Sequence, residues 1–229
     1  MAKAKSSVDK VYESLKAKAV NFEFKPEERL NESALSVALG ASRTPLREAL
    51  NRLVAEGFLT FKTGRGFFCR ALSPSRIGEL YEARQAIETE AVRRAVARAS
   101  DGEIEALCAY LIASEPDYES CNNIANLLEM DEEFHRRLVE LAGNAELSNI
   151  LDNINGRIRY VRLINLELLR GTANTNAGQL SEHRRIVEAV KARNEDAAIQ
   201  AIRGHIERRQ EQTTEAVRIA FSKLYVPDF

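Results

Sequence analysis

The stretch that decides the fold of the amino-terminal third is SALSVALGASRTPLREALNRLVAEG, residues 33–57. Leu46, Leu50 and Leu53 recur at i, i+4 and i+7, so on a helix all three face the same side. Gly40 fits the left-handed turn that ends a shorter helix before it. The spacing therefore predicts two helices joined by a tight turn, with a leucine stripe holding the second helix in place.

The predicted second helix presents short polar side chains and arginines on its outer side. Either Ser42 or Thr44 caps it, Pro45 takes the first helical position, and Arg43 and Arg47 stand one turn apart. The arginine guanidinium can donate two hydrogen bonds to one guanine edge, while hydroxyl groups and a helix amino terminus bind phosphate oxygens. The pattern predicts a helix-turn-helix that contacts double-stranded DNA through Ser42, Arg43, Thr44 and Arg47.

Residues 58–72, FLTFKTGRGFFCRAL, predict two short strands around a glycine-rich tip that would form a wing. Arg65 and Gly66 lie at that tip, where an arginine reaches the DNA backbone or the minor groove. Residues 1–72 hold 13 Lys and Arg against 8 Asp and Glu, whereas the rest of the chain holds 20 against 26. The positive excess therefore falls on the segment that is predicted to meet a polyanion.

The whole chain has a globular composition, with 45% hydrophobic and 29% charged residues and a net charge of −1. No apolar run reaches the length of a membrane span, and the start, MAKAKSSVDK, lacks the apolar core of a signal peptide. Cys69, Cys108 and Cys121 form no CxxC pair. These features predict a cytoplasmic protein without a membrane partner.

Beyond residue 73 the hydrophobic periodicity is helical throughout. A break is expected at Glu115-Pro116, because proline cannot donate a helical hydrogen bond. The predicted helices span about 75–99, 101–114, 118–142, 145–170, 177–193 and 194–222. The sequence therefore predicts a mainly α fold, with a winged helix-turn-helix domain over 1–72 and an all-α six-helix bundle over 73–229.

All three histidines of the chain fall at core-facing positions of predicted helices. His135 follows Asp131 by one helical turn, and His183 and His205 keep the apolar register of two later helices. A buried carboxylate and buried imidazoles need partners. A divalent metal would satisfy all four, with Zn²⁺ as first choice and Ni²⁺, Fe²⁺, Mn²⁺ or Cu²⁺ as alternatives. Core histidines that bond to acids or carbonyls are the competing interpretation.

Two arginines are candidates for binding a carboxylate effector beside this site. Arg84 lies in the inward stripe of the first bundle helix, and Arg157 flanks the inner stripe of the fourth. A guanidinium can hold one oxygen of a carboxylate whose other oxygen binds the metal. Arg84 could instead pair internally with Glu88, one turn further along.

The first third of the chain resembles the winged helix-turn-helix of the GntR family of bacterial transcription regulators. The resemblance rests on SRTPLREAL, the L-x-x-E-G that follows it, and the R-G of the wing. It implies DNA contacts by Arg43, Thr44 and Arg47 from the recognition helix, with Arg65 and Gly66 contributing from the wing. Some members carry an arginine where this chain has Ser33, so one contact of those members is expected to be missing.

Residues 74–222 resemble the ligand-binding FCD domain of the FadR-type branch of that family. The matching pieces are LYEARQAIE, MDEEFHRRLVELAGN and EHRRIVEAVKARNEDAAIQAIRGHI. Metal-binding members use an Asp-x-x-x-His pair and two later histidines, which fall on Asp131, His135, His183 and His205. With six helices rather than seven, this region resembles the VanR-like subgroup. The resemblance implies that the effector is a small organic acid.

Together these observations predict a transcription regulator that binds operator DNA as a homodimer. Its operator affinity is expected to change when a small carboxylate binds at the metal site. Repression is the working expectation for its mode of action, and no catalytic residue is assigned. Two alternatives stay open. One is a mononuclear metalloenzyme that acts on a small carboxylate, and the other is a regulator for which the metal itself is the signal.

Overall fold

The computed structural model describes residues 6–121, 123–169 and 175–225, and it divides into two compact units. The first unit runs to Ser73 and also includes the described residues 220–225. The second unit runs from Pro74 to Ile219. The mainly α fold expected from the sequence is confirmed: a winged helix-turn-helix precedes an all-helical region.

The first unit begins with three helices and a hairpin. Its elements are α1 (Ser7–Val20), α2 (Glu32–Ala38), α3 (Arg43–Ala55), β1 (Leu59–Lys62) and β2 (Gly66–Cys69). α2 ends at a left-handed Gly40, with φ of 59°, and the Gly40 N–H donates to the Val37 carbonyl. This conformation costs glycine little, because it has no Cβ. The turn that the sequence predicted at Gly40 is therefore confirmed.

The core of the first unit forms where α1 packs against α3. Leu46, Leu50 and Leu53 are completely buried on α3, and Leu15 of α1 is buried with them. The i, i+4, i+7 stripe is thus the inner face of α3 and leaves its outer face in solvent. Burial of these side chains fixes the angle at which α3 projects from the unit.

β1 and β2 pair antiparallel and form the wing, with Lys62 opposite Gly66. Gly64 and Gly66 both have positive φ, of 71° and 90°, which favours glycine at these positions. β2 is also bonded to the chain before α2, because the Leu30 N–H donates to the Phe67 carbonyl and the Cys69 N–H donates to the Glu28 carbonyl, both at 2.9 Å. The wing is therefore held by backbone hydrogen bonds on two sides.

The second unit is built from long helices. They are α4 (Pro74–Arg98), α5 (Asp101–Ser120), α6 (Ile124–Glu140), α7 (Ala145–Leu169), α8 (Thr175–Lys191) and α9 (Glu195–Tyr225). α6 packs on α7, α5 on α8, and α4 on both α6 and α7. The last residues of α9 belong to the first unit, in which the Leu72 N–H donates to the Tyr225 Oη at 3.1 Å.

The predicted break at Glu115-Pro116 is wrong, because α5 continues through Pro116 to Ser120. A proline within a helix leaves the carbonyl four residues earlier without its usual donor. That residue is Ile112, which is 66% exposed, so water can reach its carbonyl. The Ser120 hydroxyl donates to the Pro116 carbonyl at 2.7 Å one turn later. The helix therefore tolerates the proline, because the carbonyl without its usual donor lies on the solvent-exposed side.

Leu50→Ala should lower the free energy of unfolding of the first unit by about 2–5 kcal/mol, because the side chain is completely buried and leaves a cavity. Hydrogen exchange of the α3 amides in the full chain would measure the change. Val37→Ala is the matched control, since Val37 is 84% exposed and its truncation should cost less than about 0.5 kcal/mol. Equal protection of α3 in both variants would contradict the assignment of Leu50 to the core.

Candidate metal centre and nucleic-acid interface

The amino-terminal end of α3 presents an exposed polar surface. Ser42, Arg43, Thr44 and Arg47 are all exposed, and the Ser42 side chain makes no capping hydrogen bond. Arg47 lies 3.4 Å from Glu32, and both side chains are partly in solvent, so this pair is weak. Phosphate or base edges could replace Glu32 at little cost. All four side chains that the sequence predicted for DNA contact therefore lie on the outside of α3.

The tip of the wing adds positive charge. Arg65 is exposed, its guanidinium lies 5.6 Å from the ring centre of Phe68, and Gly66 is half-buried beside it. Lys62 lies over the same ring at 4.6 Å and is also exposed. The sequence interpretation did not include Lys62. Lys62 lies directly opposite Gly66 across the hairpin. The position of Gly66 in the predicted wing could therefore have identified Lys62 as its cross-strand neighbour.

The second unit brings one aspartate and all three histidines of the chain into one buried cluster. Asp131 and His135 lie one turn apart on α6, His183 lies on α8, and His205 lies on α9. One ligand atom from each residue lies within 4.8 Å of every other. Two ligands about 2.1 Å from a shared ion are at most about 4.2 Å apart, so the most distant donors would need to approach each other by only a few tenths of an ångström. The predicted ligands are thus close enough together to hold one metal ion.

Two glutamates orient the imidazoles of this cluster. Glu88 Oε2 lies 2.5 Å from His135 Nδ1, and Glu182 Oε2 lies 2.7 Å from His205 Nδ1. Burial alone would raise the pKa of Glu88, but the neighbouring Arg84 and His135 outweigh it and lower that pKa to about 2. The carboxylate can therefore only accept, so each Nδ1 carries the proton and each Nε2 turns a lone pair inward.

These inward nitrogens lie too close together to be left without a cation. His135 Nε2 and His205 Nε2 are 3.1 Å apart, so when neither nitrogen carries a proton two lone pairs face each other. A proton or a metal ion between them would relieve the repulsion. Burial lowers the pKa of His205 well below its usual range, which disfavours a proton on that ring. The geometry therefore fits a metal ion.

His183 and Asp131 also fit a metal. Neither ring nitrogen of the buried His183 has a hydrogen-bond partner among the residues that the structure describes, and its Nε2 lies 3.5 Å from Asp131 Oδ1. Burial lowers the pKa of His183 to about 4. For Asp131, burial opposes ionisation, but Arg162 and the histidines hold the pKa well below its usual value. Near neutral pH the pair is a neutral imidazole and a carboxylate, the forms that bind metal.

Arg84, the first predicted effector ligand, lies directly behind the cluster. It is 1% exposed, and its Nε donates to Glu88 Oε1 at 2.5 Å. The internal pair with Glu88 is therefore present, and it links Arg84 to His135 through one carboxylate. Its Nη2 finds no hydrogen-bond partner in the described part of the chain. This buried N–H group can still donate a hydrogen bond to an anionic ligand.

Arg157, the second predicted effector ligand, has a different neighbourhood. Burial, and then the charge of Arg76, lower its pKa. The arginine of α7 that contacts the cluster is Arg162, whose Nη2 is paired with Asp131 Oδ2. Sequence reasoning missed it, although Ile158, Arg162 and Asn165 keep the spacing of one inner helix face and all are buried. Following the i, i+4 and i+7 positions of that face along α7 would have identified Arg162.

Comparison with known proteins agrees with the two-part architecture. The family model described as "Bacterial regulatory proteins, gntR family" matches residues 7–69. The model described as "FCD domain" matches residues 79–208. The exposed α3 surface and the wing fall within the first match, and all four candidate metal ligands fall within the second.

Full-length relatives are transcription regulators. The chain is 40% identical over 207 residues to the Nta operon transcriptional regulator of Aminobacter aminovorans, covering 90% of this chain and 94% of that protein. It is 33% identical over 195 residues to the transcriptional regulator YdhC of Bacillus subtilis, covering 85% of each. Since the family and these relatives are regulators rather than enzymes, the metalloenzyme alternative finds no support.

Solved structures share the fold. McbR/YncC of Escherichia coli superposes with a TM-score of 0.71 at 20% identity, over 92% of this chain and 98% of that one. Lar of Listeria monocytogenes gives a TM-score of 0.65 at 22% identity, over 95% and 100%. Among the described residues, no helix has the length and apolar character needed to cross a bilayer. The chain belongs to the GntR family of bacterial transcriptional regulators and carries the FCD domain as its helical part.

Proposed function

We propose that this regulator binds operator DNA as a homodimer and that a metal-bound small carboxylate in its FCD domain controls operator affinity. The observation that carries the proposal is the buried set of Asp131, His135, His183 and His205 in a chain that also has a DNA-binding module. The protein would act in the cytoplasm, where the operator is found, and repression is the mode we expect.

The proposed DNA contacts divide between the recognition helix and the wing. Arg43 and Arg47 would enter the major groove, with Ser42 and Thr44 on phosphates at the amino terminus of α3. Arg65 and Gly66 would contact the adjacent backbone. A dimer would place two such surfaces on the half-sites of a near-palindromic operator. The exposure of the four side chains on α3 and of Arg65 supports this arrangement.

The proposed metal would be held by the Asp131 carboxylate and by the Nε2 atoms of His135 and His205, with His183 as fourth ligand. Three imidazoles and a carboxylate suit Zn²⁺ first, and Ni²⁺, Fe²⁺, Mn²⁺ or Cu²⁺ also accept this set. When bound, the ion supplies positive charge to which a carboxylate effector can coordinate. Glu88 and Glu182 keep the ligand nitrogens turned toward it.

The proposed effector would reach Arg84 as well as the metal. The unpaired Nη2 of Arg84 is buried, and a donor in that state is costly unless a ligand accepts from it. Arg157 stays a predicted ligand of the same effector. For such a ligand to regulate, it must bind more tightly to one DNA-binding arrangement of the protein than to the other. A small carboxylate at a buried cation meets that requirement if the two arrangements shape the cavity differently.

Arg47→Ala should weaken binding to an operator by about 1–3 kcal/mol, because one base or phosphate contact is lost. An operator fragment selected from random duplexes, with binding followed by fluorescence anisotropy at fixed salt, would measure this. Arg52→Ala is the control, since Arg52 lies on the last turn of the same helix and pairs with Asp9. If both variants bind like the parent, Arg47 is not a contact.

His183→Ala should reduce the metal content from about one ion per chain to near zero, because one of four ligands is removed. Elemental analysis after passage over a chelating resin would measure this, with circular dichroism to confirm that the variant stays helical. Cys108→Ser is the control for binding by thiols, since Cys108 is a free cysteine. Parent-like metal in a folded His183→Ala variant would refute the ligand assignment.

Glu88→Gln should weaken zinc binding roughly 10- to 100-fold, because a neutral amide no longer polarises the His135 ring. Competition with a zinc-binding dye would give the affinity. Glu207→Gln makes the same change at an exposed position on α9, where the carboxylate contacts Gln85. Equal affinities in the two variants would show that Glu88 serves only Arg84.

A further inference from the structure

A second group of cationic side chains adjoins the candidate metal ligand Asp131. A small cavity there is lined by Tyr81, Asp131, Arg162, Asn165, Leu166 and Arg209. It therefore joins a metal ligand to two guanidinium groups that come from α7 and α9. The sequence analysis assigned neither arginine. Arg162 and Asn165 are buried, so this is an interior site rather than a patch of solvated charge.

Asp131 is the group that two cations would share in this region. Its Oδ2 pairs with Arg162 and lies 3.8 Å from His135 Nε2, and its Oδ1 lies 3.5 Å from His183 Nε2. A divalent ion bound to Asp131 would add two positive charges beside a guanidinium that is 8% exposed. Glu132, 3.4 Å from Arg162 Nη1, is a second carboxylate but is shared with Arg159, so two carboxylates would face the ion and two guanidinium groups. With metal bound, the surroundings of Arg162 would therefore carry an excess of positive charge that a further anion can satisfy.

Arg209 brings a second guanidinium to the same cavity with only modest competition. Its Nη1 donates to Gln212 Oε1 at 3.1 Å, and its Nη2 lies 3.7 Å from Glu182, which also serves His205 and Arg208. A neutral amide and a shared carboxylate leave this charge incompletely paired. Arg162 and Arg209 together form a fork that suits a carboxylate.

We propose that Arg162, Asn165 and Arg209 form a second anion subsite and that the effector carries at least two carboxylate groups. One carboxylate would bind the metal and the Nη2 of Arg84, and the other would bind Arg162 and Arg209. This inference rests on the proposed function and gives its effector a chemical class: a small di- or tricarboxylate. A monocarboxylate would satisfy the metal but leave the second subsite empty.

The cavity has an internal volume of about 20 Å³, room for about one water molecule. The second carboxylate would therefore enter as Arg162 exchanges its contact with Asp131 for one with the effector. Both charged groups would stay paired in this exchange, because Asp131 would bind the metal while Arg162 would bind the carboxylate of the effector. Metal and effector would then bind cooperatively, each raising the affinity of the other by the same factor.

Calorimetric titration of the zinc-loaded full chain would test the subsite with chain-matched acids: succinate against butyrate, and glutarate against valerate. Zinc content and operator binding would be measured first in every variant. In the parent, the diacids should bind roughly 10- to 100-fold more tightly than the monoacids, since the second carboxylate adds charge-assisted hydrogen bonds. Citrate, at a concentration that leaves the zinc in place, extends the set to a tricarboxylate.

Arg209→Gln should remove most of the preference for diacids while monoacid binding and zinc content stay at the parent values. Arg162→Lys, which keeps a charge beside Asp131 but loses the fork, should also lower diacid affinity relative to monoacid affinity, compared at the zinc content measured for that variant. Arg203→Gln is the matched control, because Arg203 is exposed on the same helix as Arg209. It should behave like the parent.

Equal affinities for diacids and monoacids in the zinc-loaded parent would overturn the second subsite, as would no binding of any acid in the set. A preference for diacids that survives both Arg209→Gln and Arg162→Lys would also overturn it. A parent without bound zinc would instead refute the proposed metal centre. The two failures are therefore distinguishable.

Discussion

The packing of three helices in the second unit converges on one buried carboxylate, Asp131. A charge without solvent is stable only when opposite charges and hydrogen bonds surround it. Here Arg162 and His135 lie near its Oδ2, and His183 lies near its Oδ1. These partners come from α6, α7 and α8, so the position of each helix is tied to the same group. Removing any one partner would leave a buried charge or a buried donor unmatched.

The same constraint explains why the glutamates around the cluster matter. Glu88 and Glu182 turn His135 and His205 so that their basic nitrogens face each other at 3.1 Å. In a protein without a cation that arrangement is repulsive. With a divalent ion, the lone pairs become ligands and the repulsion disappears. Metal binding and packing of the helices are therefore expected to reinforce each other, because a ligand that binds only the folded state stabilises it.

Local periodicity was enough to predict the leucine stripe of α3 and to place Asp131 and His135 on one face, because both patterns lie within a few helical turns. It could not identify Glu88 as the partner of His135, since these residues lie 47 positions apart in sequence and meet only through tertiary packing. The expected break at Pro116 failed for a related reason: whether a helix tolerates proline depends on which side faces water. Arg162 was not identified for the same reason as Glu88, since its contact with Asp131 forms only through the packing of α7 on α6.

The arrangement of charges also favours an organic acid over the metal as the signal. The proposed ligands are buried, their tautomers are set by glutamates, and little has to move for an ion to bind, which suits a resident cofactor. Arg84 differs, because its buried Nη2 has no hydrogen-bond partner among the described residues and could still donate to an anion. A ligand that exchanges Arg162 between Asp131 and itself changes a contact between α6 and α7. Regulation follows only if operator-bound and free protein tolerate that change unequally.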